Sequence, residues 1–186
     1  MKKILVFAGS SRKDSVNKKL AAVAASRAGA AGAEVTLLDL ADYPAPVYDG
    51  DIEEQDGLPA TMQSFKALCA SHDALIIVSP EYNGCIPPLL VNVMSWASRP
   101  EGDEASCAAF KGKKVAIAAA SPGGLGGVRV IPRLRDFLAE LSFEVVPGFA
   151  TLPGAYKAFD DEGELVNETS SRTLGALVDR LLASLP

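Results

Sequence analysis

The sequence is poor in the residues that most metal and disulfide chemistry needs. It contains a single histidine, His72, and three cysteines, Cys69, Cys85 and Cys107, none of them spaced as CxxC. An odd number of scattered cysteines provides neither a disulfide framework nor the ligand spacing of a zinc site. One histidine also argues against mechanisms that use several imidazoles. We therefore predict no metal site.

Basic charge and long apolar runs are lacking as well. The 18 Lys and Arg residues are outnumbered by 23 Asp and Glu, which gives a net charge of −5. Such a chain binds nucleic acid and anionic membranes poorly. No apolar stretch approaches the roughly 20 residues of a membrane span, and polar residues interrupt the first apolar run too early for a signal peptide. We expect a cytoplasmic protein with no nucleic-acid partner and no membrane span.

What the sequence does contain is a regular alternation of short apolar runs and helical patterns. The 186 residues suit one domain, and we predict a single domain over 1–186. Strands are predicted at 3–8, 34–40, 74–79, 113–119 and 143–146. Helices are predicted at 15–30, 59–71, 87–98, 126–141 and 168–184, with loops at 41–56 and 148–163.

Strands that alternate with helices pair in parallel, because each helix forms a crossover between them. The near-continuous apolar strands agree, since a parallel sheet is covered on both faces. Right-handed crossovers then favour an α/β fold with a doubly wound five-stranded sheet in the order 2-1-3-4-5 and helices on both faces. In such sheets ligands bind beyond the carboxyl ends of the strands, where the strand order reverses.

The loop after the first strand is unusually polar. It runs from Gly9 to Asn17 and offers hydroxyls, an amide and two cations just before a helix. The free N–H groups and positive dipole end of a helix N-terminus suit a phosphate. The alternative is an ordinary helix cap by Asp14 or Ser15. Neither GxGxxG nor a Walker sequence occurs, so we expect a single phosphomonoester.

Two further loops follow the third and fourth strands. Residues 80–88 read PEYNGCIPP, which is either a plain turn or a platform for a planar ring beside Tyr82. Residues 121–127 read SPGGLGG, either a flexible connector or a place where the backbone approaches a ligand closely. In the second interpretation the missing side chains of Gly123 and Gly124 are a steric requirement.

These loops carry a family resemblance. The motifs are Gly9-Ser10-x-Arg12-x-x-Ser15-x-Asn17-x-x-Leu20, then Ser79-Pro80-Glu81-Tyr82-Asn83-Gly84 with Ile86-Pro87, and Asn92 with Trp96-Ala97-Ser98-Arg99. From the first strand to about the fifth, the chain resembles the NADPH-dependent FMN reductase family, flavodoxin-like enzymes that include quinone, azo-dye and chromate reductases. The resemblance implies bound FMN and NADPH or NADH as co-substrate.

The resemblance also implies site residues. The FMN phosphate would be held by Ser10, Arg12, Ser15 and Asn17. The isoalloxazine would be lined by Pro80, Glu81, Tyr82, Asn83 and Gly84, and its pyrimidine edge approached by Ser121, Gly123 and Gly124. Because the flavin carries the chemistry, no catalytic residue is assigned. The family's assembly implies a homodimer or homotetramer.

The helix at 87–98 is apolar most of the way round, and such a helix is normally buried on more than one side. We therefore predict that Val91, Met94 or both lie in a homodimer contact.

The sequence thus favours an FMN-dependent NAD(P)H oxidoreductase that passes electrons to flavin, quinone or a similar small-molecule acceptor. One alternative is a flavodoxin-like FMN electron carrier or binding module without nicotinamide-dependent turnover. A module that binds a sugar phosphate or nucleotide without flavin is another.

Overall fold

The computed structural model describes all residues 1–186 and contains one parallel β-sheet. Its strand order is β2-β1-β3-β4-β5, and the doubly wound α/β prediction is confirmed. Adjacent strands run parallel, with Leu5 beside Thr36 on one side and beside Leu75 on the other. The strands are β1 (Lys3–Ala8), β2 (Glu34–Leu38), β3 (Ala74–Ser79), β4 (Lys114–Ala120), β5 (Glu144–Val145) and β6 (Ala150–Leu152).

Five α-helices lie between the strands and a sixth follows the last strand, and both faces of the sheet are covered. They are α1 (Val16–Ala30), α2 (Gly50–Asp56), α3 (Ala60–Ser71), α4 (Pro88–Ala97), α5 (Val130–Glu140) and α6 (Glu168–Ala183). Alternate strand residues face opposite layers. Ile4 and Val6 pack with α1 and α6, whereas Leu5 and Phe7 pack with α3, α4 and α5. None of the helices is both long and apolar enough to span a bilayer.

The sixth strand was missed because the strand beside β4 is interrupted. β5 pairs with the beginning of β4, and β6 pairs with its end, through Ala118 to Ala120. Pro147 and Gly148 separate the two pieces, and Gly148 has a positive φ of 84°. Proline donates no ladder hydrogen bond, so the pairing stops there. Because of the interruption, β6 has only three residues, which are too few to show a strand pattern in the sequence. The prediction that 148–163 is entirely loop is therefore wrong.

Two helix predictions also needed correction. Helix α2 lies inside the predicted loop 41–56, where the Asp49 side chain accepts a hydrogen bond from the N–H of Asp51 and caps it. Helix α5 begins at Val130 rather than near Gly126, because Gly126 and Gly127 have φ values of 60° and 84°. Residues with positive φ do not continue a right-handed helix.

The apolar side chains of α4 are covered largely by other parts of the same chain. Met94 and Trp96 are completely buried in the single chain, so of the two positions predicted for a dimer contact, Val91 or Met94, the second is corrected and Val91 stays a prediction. The segment 46–48 covers this helix: Trp96 and Asn92 both donate to the carbonyl of Pro46, at 2.9 and 2.8 Å. Val91 is only half-buried and remains available for a contact between subunits.

Candidate functional site

The three polar loops meet at the carboxyl edge of the sheet. They enclose a cavity of about 130 Å³ beyond β1, β3 and β4. Eight residues predicted for the site line it: Ser10, Arg12, Ser15, Asn17, Pro80, Glu81, Tyr82 and Ser121. Whole-ligand pockets usually measure about 300–1,000 Å³. The enclosed volume therefore suits a phosphate group and the atoms next to it, with the rest of a larger ligand lying in the open mouth.

The first loop presents several donors to this cavity. Ser15 precedes α1, is nearly buried, and makes no capping hydrogen bond. The Ser10 hydroxyl is also nearly buried and accepts a hydrogen bond from the N–H of Arg12 at 3.3 Å. The Arg12 side chain is exposed and pairs with no carboxylate. The first N–H groups of a helix have no partner within it and can donate to an anion. This loop is therefore suited to bind one.

Asn17 is committed largely to the protein itself. Its Nδ2 donates to the carbonyl of Ala120 at 3.0 Å, and its Oδ1 accepts from the N–H of the same residue at 2.8 Å. This buried pair of bonds ties the start of α1 to the end of β4. Only one N–H of Nδ2 is left for a ligand. The main role of the Asn17 side chain is therefore to hold the first and third loops in a fixed relative position.

A tight turn forms the second loop. Tyr82 and Cys85 exchange two backbone hydrogen bonds, at 3.0 and 2.8 Å. Asn83 and Gly84 between them have φ values of 53° and 73°, as the central positions of a type I′ turn require. The turn projects Tyr82, which is 47% exposed, at the cavity. Asn83 and Gly84 are next in the chain but do not line the enclosed part.

Glu81 is a nearly buried carboxylate in the wall of the cavity, with its side chain 7% exposed. Arg129, at the start of α5, holds it from the other side. The Nε of Arg129 donates to Oε1 at 2.7 Å and its backbone N–H donates to Oε2 at 3.1 Å. A third contact joins Nη2 to Oε1. The pair connects the second loop to the element that follows the third.

The third loop is held by backbone hydrogen bonds to the residues in and just after β6. The N–H of Ser121 donates to Leu152, and the N–H of Gly154 donates to Gly123, at 3.1 and 3.3 Å. The Ser121 hydroxyl accepts from the N–H of Gly123 at 3.2 Å. Gly123 and Gly124 are exposed and lie beside the cavity lining, not in it.

The glycines that the fold itself requires are the next two along this loop. A Cβ on Gly126 would lie 2.7 Å from the backbone nitrogen of Pro153, and one on Gly127 would lie 2.9 Å from the Cβ of Ala119. Both have positive φ. A Cβ on Gly124 would meet no atom of the chain within 4 Å, and one on Gly123 only the Ser121 hydroxyl at 3.7 Å. Any steric need for glycine at 123 and 124 must therefore come from a ligand.

Five lining residues were missed by the sequence interpretation: Asp14, Val16, Ala120, Pro122 and Tyr156. Four of them flank predicted residues in the chain and were within reach of the same argument. Tyr156 was not, because it follows the unrecognised strand β6. Recognising β6 would have placed Tyr156 at the carboxyl edge, where ligands bind. Its side chain is 70% exposed and faces the cavity across from the second loop.

An ion pair lies beside the first loop. The Nζ of Lys18 is 2.6 Å from Oδ2 of Asp39, at the end of β2. Burial alone would raise the pKa of Asp39, but the hydrogen bonds from Lys18 and from the N–H of Ala41 hold it below its ordinary value. The carboxylate is thus occupied by protein donors, and Arg12 is left to bring positive charge to the cavity.

Comparisons with known proteins identify the family of the chain. The sequence model of the family described as NADPH-dependent FMN reductase matches residues 2–157. A quinone reductase of Pseudomonas putida is 34% identical over 178 residues, covering 95% of this chain and 91% of its own. A 2-hydroxy-1,4-benzoquinone reductase of Burkholderia is 32% identical over 186 residues, covering 97% and 94%.

A solved structure extends the comparison to three dimensions. The flavoenzyme NAD(P)H:(acceptor) oxidoreductase FerB from Paracoccus denitrificans superimposes with a TM-score of 0.80. It is 28% identical, and the match covers 100% of both chains. The match therefore spans the whole chain, from β1 to α6.

Proposed function

Because the chain belongs to the NADPH-dependent FMN reductase family, it is an FMN-dependent NAD(P)H oxidoreductase, and we propose that the cavity at the carboxyl edge of its sheet holds the cofactor. In this proposal electrons pass from NADPH or NADH through FMN to a quinone, a flavin or a similar small acceptor.

The observation that carries the proposal is the unsatisfied donor set at the start of α1. The Ser15 hydroxyl is nearly buried without a cap bond, and Arg12 has no acidic partner. The free N–H groups of the first helical turn complete the set. Together they fit one phosphate dianion. Ser10 and the remaining N–H of Asn17 add neutral donors to the charged one, which would hold the FMN phosphate at this end of the cavity.

When bound, FMN supplies a ring that takes a hydride from the nicotinamide and releases electrons to the acceptor. The chain positions that ring and excludes water from its edges. We assign the ring side of the site to Pro80, Glu81, Tyr82, Asn83, Gly84, Ser121, Gly123 and Gly124. The exposed backbone of Gly123 and Gly124 can approach the pyrimidine edge, since a Cβ on Gly124 would meet no atom of the chain within 4 Å and one on Gly123 only the Ser121 hydroxyl at 3.7 Å.

The acceptor side is proposed to be the open mouth of the cavity. Tyr82 and Tyr156 border this mouth with partly exposed rings, and aromatic faces stack well on planar molecules. The relatives from Pseudomonas putida and Burkholderia are named for quinone reduction. A small planar quinone is therefore the acceptor that we favour.

We further propose that residues 1–186 form one domain that functions in the cytoplasm as a homodimer or homotetramer. Its acidic net charge of −5 and the absence of a membrane-spanning helix are compatible with that location. The half-buried Val91 on α4 supports an apolar contact between subunits.

Purified protein tests the proposal directly. We expect flavin absorption bands, release of FMN on heating, and steady-state oxidation of NADPH or NADH with menadione as acceptor. Bound FMN with almost no turnover would indicate an electron carrier instead. A colourless protein that takes up no FMN on titration would contradict the proposal altogether and leave a phosphate-binding module without flavin.

A further inference from the structure

The pair formed by Glu81 and Arg129 is a polar link between the second loop and the start of α5. Glu81 immediately precedes the Tyr82–Cys85 turn, and Arg129 immediately precedes α5. The carboxylate receives donors from both the side chain and the backbone of Arg129. It also lies at the positive end of α5, which favours an anion. A nearly buried carboxylate with several charge-assisted bonds has a well-defined position.

The two ends of this link differ in how firmly the fold holds them. Arg129 follows Gly126 and Gly127, whose backbones pack tightly against β6 and β4. On the other side, the turn is closed by its own two hydrogen bonds, and its residues Tyr82, Asn83 and Cys85 are exposed. The link therefore transfers the fixed position of the α5 end to the turn. Without it, the turn would be attached only through the chain on either side of it, β3 before it and Ile86 and Pro87 at the start of α4 after it.

The pair also matters electrostatically. The Glu81 carboxylate lines the cavity in which we place FMN, and reduced FMN carries a negative charge. An uncompensated carboxylate there would disfavour the reduced cofactor, because like charges in a partly desolvated site repel. Arg129 supplies the opposite charge, although its own side chain is 62% exposed.

We propose that Glu81 and Arg129 form a positioning pair that fixes the Tyr82–Cys85 turn against α5 and balances the charge beside the cofactor. The pair thereby sets the reduction potential of bound FMN. This inference depends on the proposed cofactor site and assigns no proton transfer to either residue.

The charge part is tested with Glu81→Gln, Arg129→Gln and the double variant. Gln keeps the size of Glu81 and an oxygen acceptor for the N–H of Arg129. The ratio of the Kd values for oxidised and reduced FMN should change about tenfold, in opposite directions, in the two single variants. Glu81→Gln should raise the potential, Arg129→Gln should lower it, and the double variant should lie near the wild type. Shifts of the same sign, or no shift, would overturn the charge balance.

Two further variants separate charge from geometry at low ionic strength, where screening is weakest. Arg129→Lys keeps the positive charge but loses the planar guanidinium that donates to Glu81 from two nitrogens. The reduction potential should therefore stay near that of the wild type, while the Tyr82–Cys85 turn should become more mobile. Arg133→Gln is the matched control. Arg133 is exposed, lies one turn further along α5 and donates to the carbonyl of Arg129. It has no bond to Glu81, so its loss should leave the turn and the potential unchanged.

The positioning part is tested on the protein without cofactor, by hydrogen exchange of the Tyr82 and Cys85 amides. Exchange should be faster in Glu81→Gln and Arg129→Gln than in the wild type or Arg133→Gln. Equal exchange in all four would show that the pair does not hold the turn. If the wild-type protein takes up no FMN, the cofactor proposal fails, whereas this arm still decides whether the pair positions the turn.

Discussion

Arg12 is the only Lys or Arg side chain that lines the cavity. Under the proposed function it supplies the one charge-assisted donor to the FMN phosphate, while Ser10 and Ser15 supply neutral ones. Loss of a hydrogen bond to a charged group costs about 1.5–3 kcal/mol, or roughly tenfold to a hundredfold in affinity. We expect Arg12→Ala to raise the Kd for FMN by this factor and to leave that for riboflavin, which lacks the phosphate, nearly unchanged.

Titration of both ligands into the cofactor-free protein measures this difference. Lys13→Ala is the matched control, because Lys13 is the next residue in the chain and does not line the cavity. Equal weakening of FMN and riboflavin by Arg12→Ala would remove Arg12 from the phosphate site.

The glycine loop allows ligand contact to be separated from folding. Gly124 has space for a Cβ and Gly126 has none, so only a ligand can reject a side chain at Gly124. We expect Gly124→Val to melt like the wild type without FMN but to bind FMN more weakly. Gly126→Val should lower the Tm without FMN, since strain at positive φ costs about 1–3 kcal/mol, roughly 2–12 °C for a domain of this size. Wild-type FMN affinity in Gly124→Val would show that this loop is only a connector.

At the scale of single helices and strands, α2 is held to the rest of the fold by an ion pair between Glu53 and Arg99. The single N–H at Nε of Arg99 is shared between the two carboxylate oxygens of Glu53 in α2, each 2.8 Å away, and the Tyr48 hydroxyl donates to Oε2 at 2.7 Å. The Arg99 bonds, supported by that of Tyr48, hold the pKa of Glu53 below its ordinary value despite partial burial. The stability from this carboxylate is therefore present above its unfolded pKa and is lost as the pH falls through the folded one.

This sign leads to a pH-dependent prediction. Glu53→Gln should lower the free energy of unfolding at pH 7 by up to about 1 kcal/mol, the value of a partly exposed ion pair. The difference from the wild type should shrink as the pH falls below 4.5 and vanish once Glu53 is protonated in both states. Denaturant titrations at several pH values measure it. A difference that persists or grows in acid would contradict this assignment of stability to the charged pair.

The elements that the sequence identified correctly are those with long, uniform patterns. β1 after Lys3 and β3 before Ser79 are apolar runs, and α6 is a long helix with a polar cap at Asn167, so local signals and burial agree. α2 and β6 were missed for a physical reason. Both are short, α2 has no buried residue, and β6 is stabilised by its pairing with β4. Such contacts with distant parts of the chain leave no periodic trace in the sequence.

The same distinction explains how much of the candidate site was predictable. Ser10, Arg12, Ser15 and Tyr82 follow strands whose position was evident, and the sheet brings them together. The bonding of Asn17 to Ala120, the pairing of Glu81 with Arg129 and the position of Tyr156 depend on tertiary contacts. Individual loops were therefore foreseeable, whereas the links between loops were not.

At the scale of the whole molecule, the homo-oligomer that we propose needs a contact surface, and α4 can supply only part of it. The segment 46–48 and the core already cover Trp96 and Met94, so a contact must use the part that remains, which includes Val91. We expect the protein to be a dimer or tetramer at micromolar concentration by light scattering. Val91→Glu should shift it toward monomers, because an interface that buries a lone charge loses affinity.

The control for this variant is Leu37→Glu, on the outer strand β2, where the side chain is 52% exposed. It adds the same charge on another surface and should leave the assembly unchanged. Leu37→Glu should melt like the wild type, and Val91→Glu should remain folded as a monomer, since neither position lies in the core. A wild-type protein that is monomeric at micromolar concentration would contradict the assembly proposal. An oligomer that survives Val91→Glu would place the subunit contact on a surface other than α4, and the exposed Phe149 and Val166 beside β6 would be the next positions to test.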